Sequence, residues 1–578
     1  MGDLLISGGT LIDGTGAEPR RADVLISDGV VAEIGETPAA LAGRRADRTV
    51  DAEGHVVTPG FIDVHTHMDA QIAWDPMGES SCFHGVTTAV MGNCGFTLAP
   101  ARADARHLVV RNLERAEDIS AEAMAAGIDW TWETFPEYLD FVDATPKGIN
   151  YAGYLGHSAL RTWAMGEAAF DRGANDDELA LMLGQLRDSL RAGAIGFTTS
   201  ISYNHETADD RPVASRLAEW SEIDALVSEM GVMGAGIFEL ANHGDLRSRD
   251  AERNDAYVAK IVELGARTRV PITYGMLAPS SEDHHWKPVI KLLDGINAAG
   301  GISWGQAHSR CLGTLLSFKT SLPFDALPLW RELRAGSRGE QWSALRDPAI
   351  RARLVDEAEN GDYGRALGPE ARKPIWSHIY PLTRPLPPFR TMDVIAAERG
   401  VSPMEAFVDI ALDSDLEMFF VQALANQDQD LVLHLLKHPR AIPTFSDSGA
   451  HVTQIMDSSL QTHLLGHWVR DRQEFTLEDA VHRITQLPAA AWGFDDRGVL
   501  EVGKAADVNV FDPDTVSPDM PELVHDLPAG ASRLRQTATG FAATIVNGEI
   551  ITEHGKVTGA VPGQLLRGPL ARQKALAS

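Results

Sequence analysis

Cysteine is scarce: the 578 residues hold only Cys82, Cys94 and Cys311. So sparse and odd a set excludes a disulfide framework and points to a reducing compartment, the cytoplasm. No run of about 18 apolar residues occurs, so no membrane-spanning helix is expected. The opening MGDLLISGGTLIDG lacks the basic stretch and apolar core of a signal peptide. Positive charge is in deficit, with 51 Lys and Arg against 81 Asp and Glu and a net charge of −30. That balance argues against nucleic acid and anionic membranes as partners and leaves a small molecule as the expected ligand. A P-loop, a Rossmann-type glycine fingerprint and a G-x-S-x-G elbow are all missing, which removes the commonest nucleotide and serine-hydrolase templates.

What is present is a long chain with the composition of a globular protein, 44% hydrophobic and 23% charged. Its length exceeds one ordinary core, so a large domain with a smaller companion is expected. Residues 3–7, 10–12, 23–26 and 30–34 are short apolar runs separated by SGG, DGTG and SDG turn signals. Residues 506–511, 543–548 and 549–552 repeat that style near the other end. The two ends are expected to build one small β-sandwich, from residues 1–58 and 491–578.

Between them, residues 59–490 alternate apolar runs (86–91, 149–154, 194–199, 232–238, 271–276, 441–445) with helical patterns such as 176–192 and 215–229. Repeated β-then-α over this length predicts an α/β fold of the closed (β/α)8 barrel type, an open doubly wound sheet being the alternative. Residues 313–390, rich in Trp, Pro and Arg, read as an insertion near the barrel mouth that could form a lid.

The chemistry concentrates in three motifs. In VVTPGFIDVHTHMD, residues 56–69, an apolar strand runs into His65-Thr66-His67. Alternate residues of a strand share a face, so both imidazoles point into one space, as ligands of a divalent metal would. In a parallel barrel the strand C-termini carry the active site. GNCGFTLAP, residues 92–100, holds Cys94, which is either a small buried hydrophobe or a thiolate ligand. FSDSGAH, residues 445–451, places Asp447 at the end of another strand. There it is either a turn residue or a carboxylate that touches a metal and takes a proton from its water.

PGFIDVHTH resembles the first-strand signature of the amidohydrolase superfamily, and GVLEVGKAADVNVFD (498–512) and TIVNGEIITEHGKVTG (544–559) resemble its closing β-sandwich strands. GNCGFTLAP, GHSALR (156–161) and GFTTSISY (196–203) resemble the D-aminoacylase branch. The resemblance implies a metal-dependent hydrolase of amide C–N bonds that releases an acid and an amine or amino acid. It implies His65, His67, Cys94 and Asp447 as metal ligands, with Asp447 as the base, and Tyr203, His157 and Arg161 near the substrate. Zinc is the default cation, with iron, manganese or cobalt compatible.

The chain departs from that branch at strands five and six. VMGAGIFELAN shows Phe238 and Glu239 where a histidine is expected. VPITYGMLAP shows Tyr274, Gly275 and Met276, without the histidine and without a nearby lysine. Glu239 as an oxygen ligand, a single metal held by His65, His67 and Asp447 with or without Cys94, or a histidine from elsewhere (His243, His308 or His451) are the three ways to complete the site. The single-metal account uses only residues on matching motifs. A cyclic amide or imide hydrolase and a degenerate non-catalytic barrel remain as alternative functions.

Overall fold

The computed structural model describes residues 2–37, 40–41, 43–364 and 372–577. Both ends of the chain enter one nine-stranded sheet. Its order runs Lys556–Val557, Glu549–Glu553, Phe541–Val546, Val508–Phe511, Val56–Pro59, Leu4–Leu11, Arg20–Ser27, Val30–Gly35, with Arg48–Asp51 also paired to Leu4–Leu11. The expected strands 3–7 and 10–12 are a single strand. SGG is a bulge inside it, with the register slipping between Ile6 and Gly9 and Gly8 at φ 76. Glycine there admits the extra residue without ending the strand. The first half of Leu4–Leu11 pairs with Arg48–Asp51 and the second half with Val56–Pro59.

Eight parallel strands follow: β1 Phe61–Asp63, β2 Val86–Met91, β3 Asn150–Gly153 continuing as Leu155–Gly156, β4 Gly196–Ser200, β5 Ile237–Ala241, β6 Ile272–Met276, β7 Ser303–Ala307 and β8 Ala441–Pro443. β1, β2 and β3 pair in that order, and the continuation of β3 starts a second ladder running through β4, β5, β6 and β7 to β8. β2, VTTAVM, is buried along its whole length, the pattern of a parallel strand covered on both faces. The outer strands are tied by side chains: the Val64 amide donates to Thr444 Oγ1 at 2.9 Å, and that hydroxyl donates to Asp63 at 2.6 Å.

Helices separate the strands. Asp176–Ala192 opens with a capping box between Asn175 and Glu178, carries three acids in its first turn, and stops at left-handed Gly193, φ 116. The expected strand 232–238 is corrected by its neighbour: Val232 and Met233 close the helix Trp220–Met233, and β5 begins only at Ile237. Gly234 and Gly236, at φ 62 and φ 92, break the apolar run between them.

The insertion is longer than 313–390. Leu312–Leu316, Ile379–Pro381 and Phe420–Ala425 form their own antiparallel sheet, so the unit reaches Ala425. With the helices Pro328–Ala335, Arg338–Arg346, Pro348–Asn360, Met392–Arg399 and Pro403–Asp413 it encloses a separate core around Phe324, Trp330, Phe407 and Phe420. Among the described residues no helix is long and apolar enough to cross a membrane.

Candidate metal centre

The backbone of the residues after β1 is pinned on two sides. Thr66 N donates to Val90 O of β2 at 3.0 Å, and His67 N donates to Ser448 O, beyond β8, at 2.8 Å. His65 and His67, 0% and 3% exposed, are both buried. His65 Nδ1 lies 2.6 Å from Gln306 Oε1 on β7. An amide oxygen there accepts a hydrogen bond from Nδ1–H, which leaves Nε2 free to act as a donor atom.

That Nε2 lies 3.2 Å from Asp447 Oδ1 and 3.5 Å from Cys94 Sγ. His67 Nε2 lies 3.4 Å from the same Asp447 oxygen. His65, His67 and Cys94 each offer a donor atom within 4.8 Å of the others. Ligands sharing one tetrahedral cation, at bond lengths of about 2.0–2.3 Å, sit about 3.3–3.7 Å apart, close to these contacts. Asp447 Oδ1 and His67 Nδ1 are buried with no hydrogen-bond partner. Buried polar atoms are seldom left so, and the donors present therefore fit a divalent cation.

The backbone is strained at the same place. Cys94, Phe445, Asp447 and His451 all have left-handed φ, 53°, 87°, 50° and 48°. Non-glycine residues hold such angles only where the surroundings impose them, which is common at functional sites. Gly449 is needed for close approach: a Cβ there would lie 2.5 Å from the His67 carbonyl oxygen.

Electrostatics follow from burial without water. Burial pushes the Cys94 thiol well up, helped by Glu239 and Glu117, and pushes Glu117 well up beside Asp447 and Asp69. Burial also raises Asp69 to about 8 and Glu239 to about 7. Asp447 is the exception: burial raises it, but the two imidazoles beside it hold it well below the usual carboxylate range. His65 is opposed by burial and still raised by Asp447, whereas burial wins at His67 and lowers it. A dication among these groups deprotonates a thiol and reverses the effect of burial on acids.

The structure brings His65, His67, Cys94, Asp447 and Glu239 together. Glu239 Oε2, on β5, accepts the Cys94 amide at 2.8 Å. His157 and Arg161 lie instead in a separate buried network around Glu222. His157 Nδ1 meets Thr199 Oγ1 at 2.7 Å and its Nε2 meets Glu222 at 2.8 Å, while Arg161 donates to Glu222 and to the Arg172 carbonyl. Both side chains are 0% exposed, and of their polar atoms Arg161 Nε alone lacks a hydrogen-bond partner. Tyr203 is 50% exposed, with its hydroxyl 3.4 Å from His243 Nδ1. His308 faces Asp457, and His451 faces Glu117. Glu117 and Gln306 escape sequence reading. Neither stands in a motif that sequence reading could use.

The fold and the donor cluster define a metal-dependent hydrolase acting on amide C–N bonds. The model of the amidohydrolase family matches residues 48–272 and 343–552. A D-aminoacylase of Alcaligenes xylosoxydans xylosoxydans is 30% identical over 568 residues, covering 98% of this chain and 97% of that protein. The structure of an N-acyl-D-glutamate deacylase from Bordetella bronchiseptica, complexed with zinc and a phosphonate mimic of the tetrahedral intermediate, aligns with TM-score 0.64 at 27% identity, covering 98% and 99% of the two chains. A D-aminoacylase with a binuclear metal centre, described as activated by one metal and attenuated by the second, aligns with TM-score 0.62 at 25% identity, covering 98% and 100%. The chain belongs to the amidohydrolase family.

Proposed function

We propose that this protein hydrolyses N-acyl amino acids, using a divalent cation held by His65, His67, Cys94 and Asp447. The observation that carries the reading is Asp447 Oδ1, which faces both imidazoles and takes no hydrogen bond. Zinc is the default for nitrogen, sulfur and oxygen donors, and the zinc-bound deacylase from Bordetella supports it. One ion accounts for these four residues. Glu239, already turned toward the Cys94 amide, is a further oxygen donor at their edge.

When bound, the cation supplies Lewis acidity to the scissile carbonyl and to the attacking water. The chain does the rest. Gln306 fixes the His65 ring so that its free nitrogen faces inward. Asp447, held ionised by the imidazoles, takes a proton from the attacking water. The hydroxide adds to the amide carbon, and Asp447 returns the proton to the leaving nitrogen as the C–N bond breaks. Positioned proton transfer of this kind contributes about 10²–10⁴ in rate. The D configuration follows the two deacylase relatives. The strand-six segment VPITYGMLAP carries no lysine, so the substrate carboxylate is held differently. Tyr203 stays a candidate for that contact.

We infer also that the eight parallel strands close into a barrel, supported by the Asp63–Thr444–Val64 link between β1 and β8. Residues 59–490 then form the hydrolase domain, with 1–58 and 491–578 as the smaller β unit. Three free cysteines suit the cytoplasm. The test is amine release from paired N-acetyl-D- and N-acetyl-L-amino acids by metal-loaded protein. Turnover of the D series is expected. Turnover confined to cyclic amides would overturn the N-acyl assignment.

A further inference from the structure

Asp447 has a serine on either side of it and sits at φ 50, a left-handed conformation that an aspartate keeps only where its neighbours enforce it. The enforcing groups are hydroxyls. Ser446 Oγ accepts from the Ser448 amide at 3.1 Å, which closes a turn over Asp447. Ser446 Oγ also donates to Ser448 Oγ at 2.8 Å, and Ser81 Oγ, from the segment between β1 and β2, donates to the same oxygen at 2.9 Å. Those two bonds fill both lone pairs of Ser448 Oγ, so its own proton goes to Ser458 Oγ, at 2.7 Å. Ser448 is therefore a saturated hub, buried like Ser81 and Ser446, where three stretches of chain meet. Its carbonyl completes the link to the metal cluster by accepting the His67 amide at 2.8 Å.

The hub is anchored by the far end of the chain. Arg533 donates to Asp75 at 2.9 Å, and the Gln536 amide donates to Ser80 Oγ at 3.0 Å, which fixes the segment that carries Ser81. The Leu534 amide donates to the Val452 carbonyl at 2.7 Å. The short strand Arg533–Arg535 and the residue after it thus hold both segments that converge on Ser448. Ser446, Asp447, Ser448, Ser458, Gln71 and Arg533 line a cavity of about 30 Å³ between them. That volume suits a water molecule and not an N-acyl amino acid. The hydroxyls therefore act on Asp447 and leave the substrate's own contacts to other groups.

We propose that Ser448 is a positioning residue for the hydrolysis: its hydroxyl, saturated by Ser81, Ser446 and Ser458, fixes the turn that holds the Asp447 carboxylate between His65 and His67. This rests on the role proposed above for Asp447. Alanine at 448 would leave the buried Ser81 and Ser446 hydroxyls without their acceptor and release the turn.

The experiment compares wild type, Ser448→Ala, Ser458→Ala and the double variant, loaded with Zn²⁺ for kinetics on N-acetyl-D-amino acids and with Co²⁺ for absorption spectra. Ser458 is only half-buried, and losing its hydroxyl removes just the acceptor of the hub's proton, so that variant keeps the test open if Ser448→Ala does not fold. Ser448→Ala should lower kcat by about 10–100-fold, the weight of groups that orient metal ligands, and leave KM within about twofold. Its Co²⁺ ligand-field bands should shift as Asp447 loosens, while the thiolate charge-transfer band of Cys94 stays. Ser458→Ala should move the same quantities in the same direction by less. The double variant should fall no further than Ser448→Ala, because both changes act through one hydroxyl. A rise in KM with kcat unchanged would overturn the proposal, as would wild-type kcat and ligand-field bands in both single variants. Wild type that shows the thiolate band yet turns over no N-acyl amino acid would instead strike at the proposed substrate, and the ligand-field bands would then decide the role of Ser448.

Discussion

Two buried clusters in this protein have nearly the same ingredients and opposite character. One joins His157, Arg161 and Glu222; the other joins His65, His67, Cys94, Glu117 and Asp447. Imidazole and carboxylate are buried in both. In the first, both carboxylate oxygens of Glu222 accept from Arg161, His157 has partners on both ring nitrogens, the Ala174 amide adds a contact at 3.4 Å, and Arg161 Nε is the one orphan. In the second, His67 Nδ1, Asp447 Oδ1 and Glu117 Oε2 have no hydrogen-bond partner, and left-handed residues surround them. Residue type therefore does not separate a site from a structural network; pairing does. A closed network stabilises the fold by satisfying its own groups, whereas an open one retains groups that only a ligand satisfies.

The sharpest way to break the comparison is to remove the open cluster's nitrogens. Replacing His65 and His67 by alanine should leave no bound metal by elemental analysis and no measurable turnover. A variant that still binds stoichiometric zinc would move the metal centre elsewhere. Next in size is Asp447→Asn, expected to lower kcat by about 10²–10⁴. The variant should keep metal bound through the remaining ligands. Full turnover with metal present would remove Asp447 from the proton transfer.

The two clusters also differ in how far the sequence reveals them. HTH after an apolar strand and SDSGAH after another were legible because strand alternation converts spacing into shared direction. Cys94 was legible through GNCG, and Glu239 through standing where a histidine was expected. Glu117 was not, since ERAEDIS has no periodicity that aims one acid inward; only contact with the 451–454 loop does that. The network of His157 and Arg161 was not legible for a related reason. GHSALR shows the right residue types, but their partner Glu222 lies on the helix Trp220–Met233, about sixty positions on, and only folding brings it near. In the fold, the alternation of strand and helix showed through, while the extent of the insertion did not. Its three strands pair antiparallel across gaps of tens of residues, beyond the reach of any local pattern.

The closed cluster invites the converse variant. Glu222→Ala leaves Arg161 and His157 buried without their carboxylate, and breaking one partner of a buried pair costs about 3–5 kcal/mol. Urea unfolding should show that loss, while kcat of the folded fraction stays within about twofold. A large fall in kcat at full occupancy by metal would return His157 and Arg161 to the substrate site.

The smallest effect concerns pH. Burial raises the pKa of Glu222, but His157 and Arg161 overcome it and bring it to about 2 from the ordinary 4.5. A carboxyl lowered in the folded state contributes stability that is fully present above its unfolded value. That stability is lost as pH falls from 4.5 toward 2, because the unfolded chain then binds a proton the folded one refuses. The largest slope one such group gives is about 1.4 kcal/mol per pH unit. Glu222→Gln has no such proton to bind in either state. The stability gap between wild type and Glu222→Gln, read from urea midpoints between pH 5 and pH 3, should therefore narrow as pH falls. A gap that stays constant across that interval would mean that Glu222 is not held ionised by its neighbours, and the contrast between a closed and an open cluster would lose its electrostatic basis.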